Sequence, residues 1–500
     1  MDSELAYSRP QKTAVQLGEL AEDRHRFLHK RILLTGESGL LALPNGRECF
    51  LDSLRLAVRI CPNVAVYLSD ENDDLRAKAR DLADRIAFGK KVEFLQAFPN
   101  FNQFDAILSI GAKAHPELPW TTINSNGFVA RVTSGVSDIS DQCDLSNPIG
   151  ALAAACLGVG EVFKRIIRLK GERGEMLNGF SFSLRTYVQG TSDCGPSIPE
   201  TLPHDLLVVG AGAIGNGIVH LISRLPFTGV ITLVDRQEYG PENLGTCLLL
   251  SPDDLSKPKA AFLASILNER KVRAHGFCGP FEQYASELQQ FPKVVLNGLD
   301  NIDVRHEVQR TLWPNVIIDG AIGDFMCQVS WHPWPDDVAC LMCLFQQPAS
   351  RPAEEVQSEA TGLSKNRLQQ PDSLVNEADV EAAPKEKQPA LRSRIGQPVC
   401  SVVQEAVAQK ISLEQQEKGF EPSVPFVACF SACMVMTEAL AYLFGWKTKL
   451  EPRFQFDFLR GPAYGLELPQ ARSKNCVCGR RKNIERLRSA HGFANEPSGG

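Results

Sequence analysis

Residues 204–260 read HDLLVVGAGAIGNGIVHLISRLPFTGVITLVDRQEYGPENLGTCLLLSPDDLSKPKA, and this stretch decides the fold. Residues 206–209 are a short, wholly apolar run, the pattern of a strand buried on both faces. Gly210, Gly212 and Gly215 follow as G-x-G-x-x-G at a strand-to-helix turn. Glycines there permit a tight turn and let a phosphate approach backbone N–H groups at a helix start. A second strand over 230–234 ends in Asp235, where a ribose-binding carboxylate belongs. Beyond it, Asn243-Leu244 and Lys257-Pro258-Lys259 add an amide and a lysine just past the ribose position. A hydride-transfer enzyme has no evident use for a lysine there, whereas an enzyme handling a triphosphate does.

Working outward, the same unit continues through a helix over 259–270, a strand over 293–297, a helix over 302–312 and strands over 316–319 and 327–332. On the N-terminal side, strands over 31–34, 64–68, 92–94, 105–110 and 120–124 alternate with helices over 53–60 and 73–87. This is the rhythm of a doubly wound α/β domain. The first loop there is GESGLLALPNG rather than a compact glycine motif, and the strand over 105–110 runs through Ser109-Ile110-Gly111 with no carboxylate. The N-terminal part thus reads as a nucleotide-type fold that has lost its nucleotide chemistry, with an unrelated α/β domain as the alternative. The expected fold class is α/β: two Rossmann-like doubly wound units, the N-terminal one degenerate and the C-terminal one ATP-binding, with a zinc-clamped crossover loop. The expected domains are 1–200, 201–480 with a mobile crossover loop over 346–396, and a flexible tail over 481–500. The stretch 346–391 is polar and has no apolar period, so it reads as a long loop.

Composition sets the outer bounds. The chain has 500 residues and a formal net charge of −6, which gives no global pull toward nucleic acid or anionic membrane. The N-terminal MDSELAYSRPQK is too polar for a signal peptide. Fifteen cysteines without an export signal point to thiols and metal ligands in a cytoplasmic protein rather than to disulfides. Residues 424–446 are nearly long enough to span a bilayer, but Glu438 and several small residues favour a buried core helix, so no membrane association is expected. Residues 147–163, rich in Ala and Gly, suit a tightly packed helix between domains.

Three groups of residues carry chemistry. Asp300 follows the strand over 293–297, at the carboxyl end where open α/β sheets bind ligands, and with Asp235 across the cleft it can hold Mg²⁺ against a triphosphate; its structural alternative is a helix cap for residue 302 onward. Cys340-Leu341-Met342-Cys343 and Cys476-Val477-Cys478 are two close cysteine pairs far apart in sequence, the requirement for a closed Cys₄ zinc site. Cys400 stands at a helix start just after the polar stretch, where a thiol is activated as a nucleophile. Cys429 and Cys433, and likewise Cys143, Cys156, Cys247 and Cys327, read instead as small buried residues.

In order, GAGAIG, VDRQEYGPENL, KPKA, LDNIDVR, CLMC and CVCG resemble the ubiquitin-activating, ThiF/MoeB-type superfamily over residues 204–480. The resemblance implies ATP·Mg²⁺ binding and adenylation of the C-terminal glycine of a ubiquitin-like protein. By motif, Gly210, Gly212 and Gly215 would line the nucleotide, Asp235 would hold the ribose and Asn243 the phosphates. Lys259 would neutralise the triphosphate, Asp300 would ligate magnesium and the cysteine pairs would hold structural zinc. NPIGALAAACLGVGEVFKR resembles a segment of bacterial members fused to an inactive adenylation-like domain. Those members act beside conjugating enzymes in antiphage conjugation systems of the Bil type. Cys400 matches the crossover-loop cysteine that takes the activated chain as a thioester. The pattern departs from the family at Thr246, which stands where an arginine is expected, and at Gln237, which replaces a second acid. Either a residue of the N-terminal half, Arg24 and Arg26 being candidates, or a second protomer in a homodimer supplies the missing contact, or ATP handling is weaker. The competing readings are a sulfur-carrier adenylyltransferase of cofactor biosynthesis, a nicotinamide-dependent oxidoreductase and a non-catalytic scaffold.

Overall fold

The apolar runs that mark the strands assemble into two sheets with one strand order between them. A computed structural model describes residues 7–17, 26–139, 145–334, 338–345, 353–370, 373–403, 406, 424–446, 453–468, 472–474 and 476–493. The first sheet holds β1 (Arg31–Gly36), β2 (Asn63–Val66), β3 (Glu93–Phe94), β4 (Ala106–Ile110), β5 (Trp120–Asn126), β6 (Val129–Thr133) and β7 (Phe180–Ser183), ordered 3-2-1-4-5-6-7. The second holds β8 (Leu206–Val209), β9 (Ile231–Val234), β10 (Ala274–Phe277), β11 (Val294–Asn297), β12 (Val316–Gly323), β13 (Met326–Pro333), β14 (Arg453–Asp457) and β15 (Leu466–Glu467), ordered 10-9-8-11-12-13-14-15. In each sheet the first five strands are parallel and the rest antiparallel. Strand for strand, β1–β7 correspond to β8–β14, and the order reverses beside β1 and beside β8, where such sheets bind ligands. The α/β class and the two doubly wound units agree with the sequence reading. The antiparallel β6 and β7 do not show in it. They are short, and β7 lies in a stretch read as a connection.

The helices are α1 (Ser8–Gln16), α2 (Pro44–Ile60), α3 (Pro148–Ile167), α4 (Ala213–Ile222), α5 (Lys259–Glu269), α6 (Ile302–Thr311), α7 (Pro425–Phe444) and α8 (Arg481–Ala490), with Asp73–Ile86 and shorter ones between. The correspondence extends to them: α2 follows β1 as α4 follows β8, and α3 precedes β7 as α7 precedes β14. Helix α3 packs on α2 and α7, and α7 packs on α4 and α3, so these four helices join the halves. A helix that is apolar all round is a buried one. That holds for α7, whose most apolar window is 89% buried, which makes the bilayer-length segment a core helix. Close approach demands small residues: a Cβ on Gly217 of α4 would lie 2.6 Å from the Cβ of Ala432 on α7.

One buried polar cluster crosses this junction. His220 Nε2 lies 2.8 Å from Asp52, whose carboxylate also pairs with Arg224 at 2.9 Å, and Arg224 pairs in turn with Glu48. Burial, with Arg224 and Arg55 adding to it, pushes His220 down to about 3, so the ring is neutral and donates to Asp52. Asp52 stays ionised because Arg224 and His220 together outweigh its burial. The unfolded chain takes up a proton at His220 near pH 6.5 and the folded one does not, so stability is present above that pH and is lost as pH falls below it, at about 1.4 kcal/mol per unit. Glu48, raised by burial, works in the opposite direction as pH falls toward the ordinary carboxylate range. The expected result is a melting temperature that falls from pH 7 to pH 5, and a shallower fall in His220→Asn, measured by calorimetry.

The two sheets belong to one compact unit, and Gln346–Phe420 forms a second. The second unit corrects the expectation of a loop without secondary structure. It contains the helices Ala353–Thr361, Lys365–Leu368, Glu377–Ala382 and Gln388–Arg392 around Leu363, Val375, Val380, Leu391, Val399 and Val402. Helices this short contribute one or two apolar residues each, so no 3.6-residue period arises in the sequence. Of the expected flexible tail over 481–500, residues 494–500 lie outside the described residues, while 481–490 form α8, which buries Ile484, and Arg488 on it donates to the carbonyls of Trp313 and Pro314.

Candidate functional site

At the carboxyl ends of β8, β9 and β11 lies a cavity of about 560 Å³, well inside the range of small-ligand sites. Gly210, Gly212, Asp235, Asn243, Lys259 and Asp300 all line it. Gly210 has φ +91°, a conformation L side chains rarely adopt, and Gly212 opens α4 with nothing in front of its Cα. Gly215 does not line the cavity, contrary to the expectation. A Cβ there would lie 2.1 Å from the Gly210 carbonyl oxygen, so this glycine lets the first turn of α4 close onto the strand end.

The side chains divide by what they are free to do. Both oxygens of Asp235 accept backbone N–H groups, from Ala211 and Gln237 at 2.8 Å each. That fixes the carboxylate and leaves Asp300, exposed beyond β11, as the better-placed cation ligand of the pair. The capping role open to Asp300 is filled by Asn301, whose Oδ1 accepts from Asp303 and Val304. Asn243 Oδ1 accepts from the Gly240 N–H at 2.9 Å, which orients the amide. Lys259 is 6% exposed, and its Nζ donates to Gln237 Oε1 at 2.9 Å. A neutral amide at Gln237 steadies the ammonium without cancelling its charge. Under the cavity, Arg305 Nε donates to Asp319 at 3.0 Å and Asn297 donates to the same oxygen. Burial lifts Asp319 to about 6 despite these partners, so the carboxylate is still ionised at neutral pH.

Several cavity-lining residues are absent from the sequence reading, and one of them is an arginine of the other half. Arg9, on α1 of the N-terminal half, lines the same cavity as Thr246, the position that lacks the expected arginine, and its charge acts on the neighbouring Cys247. Of the arginines proposed from sequence, Arg24 and the side chain of Arg26 lie outside the described residues. No local signal marks Arg9, because its place depends on how Tyr7, which is 2% exposed and donates to the Val58 carbonyl, seats α1 on α2.

Cys340, Cys343, Cys476 and Cys478 bring all four sulfurs within 4.8 Å of one another. The Sγ–Sγ distances are 3.7 Å for Cys340–Cys343, 3.5 Å for Cys340–Cys476 and 3.6 Å for Cys343–Cys478. A tetrahedron with Zn–S bonds of about 2.3 Å has edges of roughly 3.8 Å, so the set suits a four-coordinate zinc ion. The Ser473 N–H donates to Cys343 Sγ, the kind of outer contact that steadies a thiolate ligand.

Cys400 belongs to the 346–420 unit and is half-buried there. It follows a small ladder in which Val399 N–H donates to Ser373 and Val375 N–H to Gln397, both at 2.9 Å. Cys156, Cys247, Cys327, Cys429 and Cys433 are buried as expected, and Cys143 lies outside the described residues.

Comparison with known proteins finds that residues 202–479 match the model of the ThiF family. The chain is 24% identical over 469 residues to the uncharacterized protein y4jF of Sinorhizobium fredii, covering 89% of this chain and 88% of that one. It is 25% identical over 396 residues to the bacterial E1-like protein BilD of a Collimonas species, covering 74% and 75%. Among solved structures it is similar to E. coli MccB with ATP, at TM-score 0.36 and 14% identity over 55% of this chain and 66% of that one. A second MccB structure, with AMPCPP and MccA, matches at TM-score 0.37 and 12% identity over 72% and 97%.

Proposed function

The chain belongs to the ThiF family and is an E1-like adenylating enzyme, and we propose that it activates the C-terminal glycine of a ubiquitin-like protein with ATP. The observation that carries this reading is the convergence of the glycine loop, Asp235, Asn243, Lys259 and Asp300 on one cavity. In the first step a carboxylate oxygen of the glycine attacks the α-phosphorus of ATP, the bond to the bridging oxygen breaks, and pyrophosphate leaves. No side-chain nucleophile is needed, so the work is positioning and charge neutralisation. Asp235 holds the ribose, Asn243 and Lys259 hold the phosphates, and Arg9 stands in for the arginine missing at Thr246. A magnesium ion, when bound, shields charge on the triphosphate, and Asp300 is the residue to hold it.

In the second step the Cys400 thiolate attacks the acyl carbon, the bond to the phosphoryl oxygen breaks and AMP leaves, giving a thioester for transfer to a conjugating-enzyme cysteine. The labour divides between residues 1–200, which hold no glycine loop of their own but lend Arg9 to the cavity, and 201–480. The expected setting is a cytoplasmic, antiphage-type conjugation system.

A glycine-ending ubiquitin-like protein is expected to stimulate exchange of labelled pyrophosphate into ATP, and the same protein lacking its terminal glycine is not. Exchange that ignores the added protein would contradict the reading. Zinc in the Cys₄ cluster is expected at about one per chain by metal analysis, because each cysteine pair alone supplies only two ligands. Cys343→Ser is expected to lose the metal and lower the melting temperature. Metal content near zero in protein purified without chelator would contradict the assignment.

A further inference from the structure

The last turn of α2 carries an arginine that the proposed chemistry does not use. Arg59 is 0% exposed. Its Nε donates to the Cys247 carbonyl at 2.9 Å, its Nη2 to the Leu250 carbonyl at 2.8 Å, and its Nη1 to the Arg55 carbonyl at 2.7 Å. Burial lowers it only to about 10, so the guanidinium is charged at neutral pH. A buried cation is costly, and three carbonyl dipoles compensate it here in place of a carboxylate.

The two carbonyls lie in the other half of the molecule, on the turn that follows Asn243. That turn folds back on the cavity wall: the N–H groups of Thr246 and Cys247 both donate to the Asn243 carbonyl, at 3.0 and 2.8 Å. Asn243 and Thr246 both line the cavity. Other side-chain holds on the turn are longer, among them Asn216 Oδ1 accepting from Leu249 N–H at 3.3 Å and the Thr246 hydroxyl donating to the Asn243 carbonyl at 3.4 Å. The same turn of α2 also anchors the second cavity element from the N-terminal half, because the Tyr7 hydroxyl, next to α1 and Arg9, donates to the carbonyl of Val58 at 2.9 Å.

We propose that Arg59 is a positioning residue of the nucleotide cavity: from the half that lacks the glycine loop, it fixes the Cys247–Leu250 turn and thereby the placement of Asn243 and Thr246. This rests on the reading of the cavity as an ATP site. The N-terminal half then does more than cover α4 and α7, since the wall of the cavity hangs from its second helix. A planar fork that reaches two carbonyls three residues apart is a task for arginine and not for the single ammonium of lysine.

The test uses the full-length protein. Affinity for a fluorescent ATP analogue and the KM and kcat of pyrophosphate exchange are measured for wild type, Arg59→Met, Arg59→Lys and Phe163→Leu. Phe163 is buried in α3 against Phe426 and controls for destabilisation alone. Arg59→Met is expected to weaken analogue binding and raise KM for ATP by about tenfold or more, Arg59→Lys by at least about threefold, and Phe163→Leu to lower the melting temperature without moving KM. Should Arg59→Met fail to fold, Arg59→Lys decides. Folded Arg59 variants with wild-type affinity and KM would overturn the proposal and leave Arg59 a structural residue. Wild-type protein that binds no analogue would instead overturn the ATP reading on which the proposal stands.

Discussion

Replacing Lys259 with methionine is expected to lower pyrophosphate exchange by about 10²–10³-fold, the scale on which removing one preorganised charge from a water-poor site acts. Lys259 is nearly buried, sits at the start of α5, and is held by a neutral partner, Gln237, rather than by a carboxylate. Its charge is therefore uncommitted until an anion enters the cavity. Negative charge on the departing pyrophosphate grows as the α-phosphorus is attacked, so the loss should fall on kcat as well as on KM for ATP. Methionine keeps the stem and its packing beside Tyr239, whose ring lies 5.6 Å from the ammonium, so the variant should remain folded. A folded Lys259→Met protein with near-wild-type exchange would mean that the triphosphate does not lie against this residue.

Cys400→Ala is expected to leave exchange within about threefold of wild type while abolishing the thiol-sensitive adduct on a non-reducing gel. The split follows from the two steps, because only the second forms a bond to sulfur. Most of the other described cysteines are physically poor alternatives. Burial pushes Cys61 up to about 12 and Cys247 up to about 11, and it also raises Cys156, Cys327 and Cys433 well above the ordinary thiol range. A thiol so raised is a weak source of thiolate at neutral pH. Cys278 is exposed and adjoins Gly279, which lines the cavity, so it is the serious competitor. Cys278→Ala is expected to form the adduct normally. An adduct that survives Cys400→Ala and disappears in Cys278→Ala would reassign the nucleophile.

What could be read from the sequence follows how local the determining physics is. The β8–glycine loop–β9 unit, Asp235 and Asp300 are set by neighbours within a few dozen residues, and the structure places them together on one cavity. The four cysteines are legible because thiolate pairs leave a spacing signature even across the 132 residues between Cys343 and Cys476. At Gly215 one motif serves two purposes, phosphate approach and helix–strand packing, and the spacing alone does not separate them; the 2.1 Å approach of a Cβ there to the Gly210 carbonyl oxygen shows the second. The 346–420 unit was missed because a cluster built from single apolar residues on very short helices has no period. Arg9 and Arg59 were invisible for a different reason. Nothing in a short polar helix or in the last turn of α2 says that the other half of the chain will fold against it, so roles that arise at the junction of the halves cannot be read from either half alone.

The most direct test follows oxygen. A ubiquitin-like protein carrying ¹⁸O in both oxygens of its C-terminal carboxylate is incubated with the enzyme and ATP, and the AMP released is examined by mass spectrometry. Attack by the carboxylate on the α-phosphorus, followed by thiolate attack on the acyl carbon, leaves one carboxylate oxygen on phosphorus, so the AMP should carry one ¹⁸O. AMP without ¹⁸O, or ADP and phosphate as the products, would contradict activation of the terminal carboxylate at this cavity.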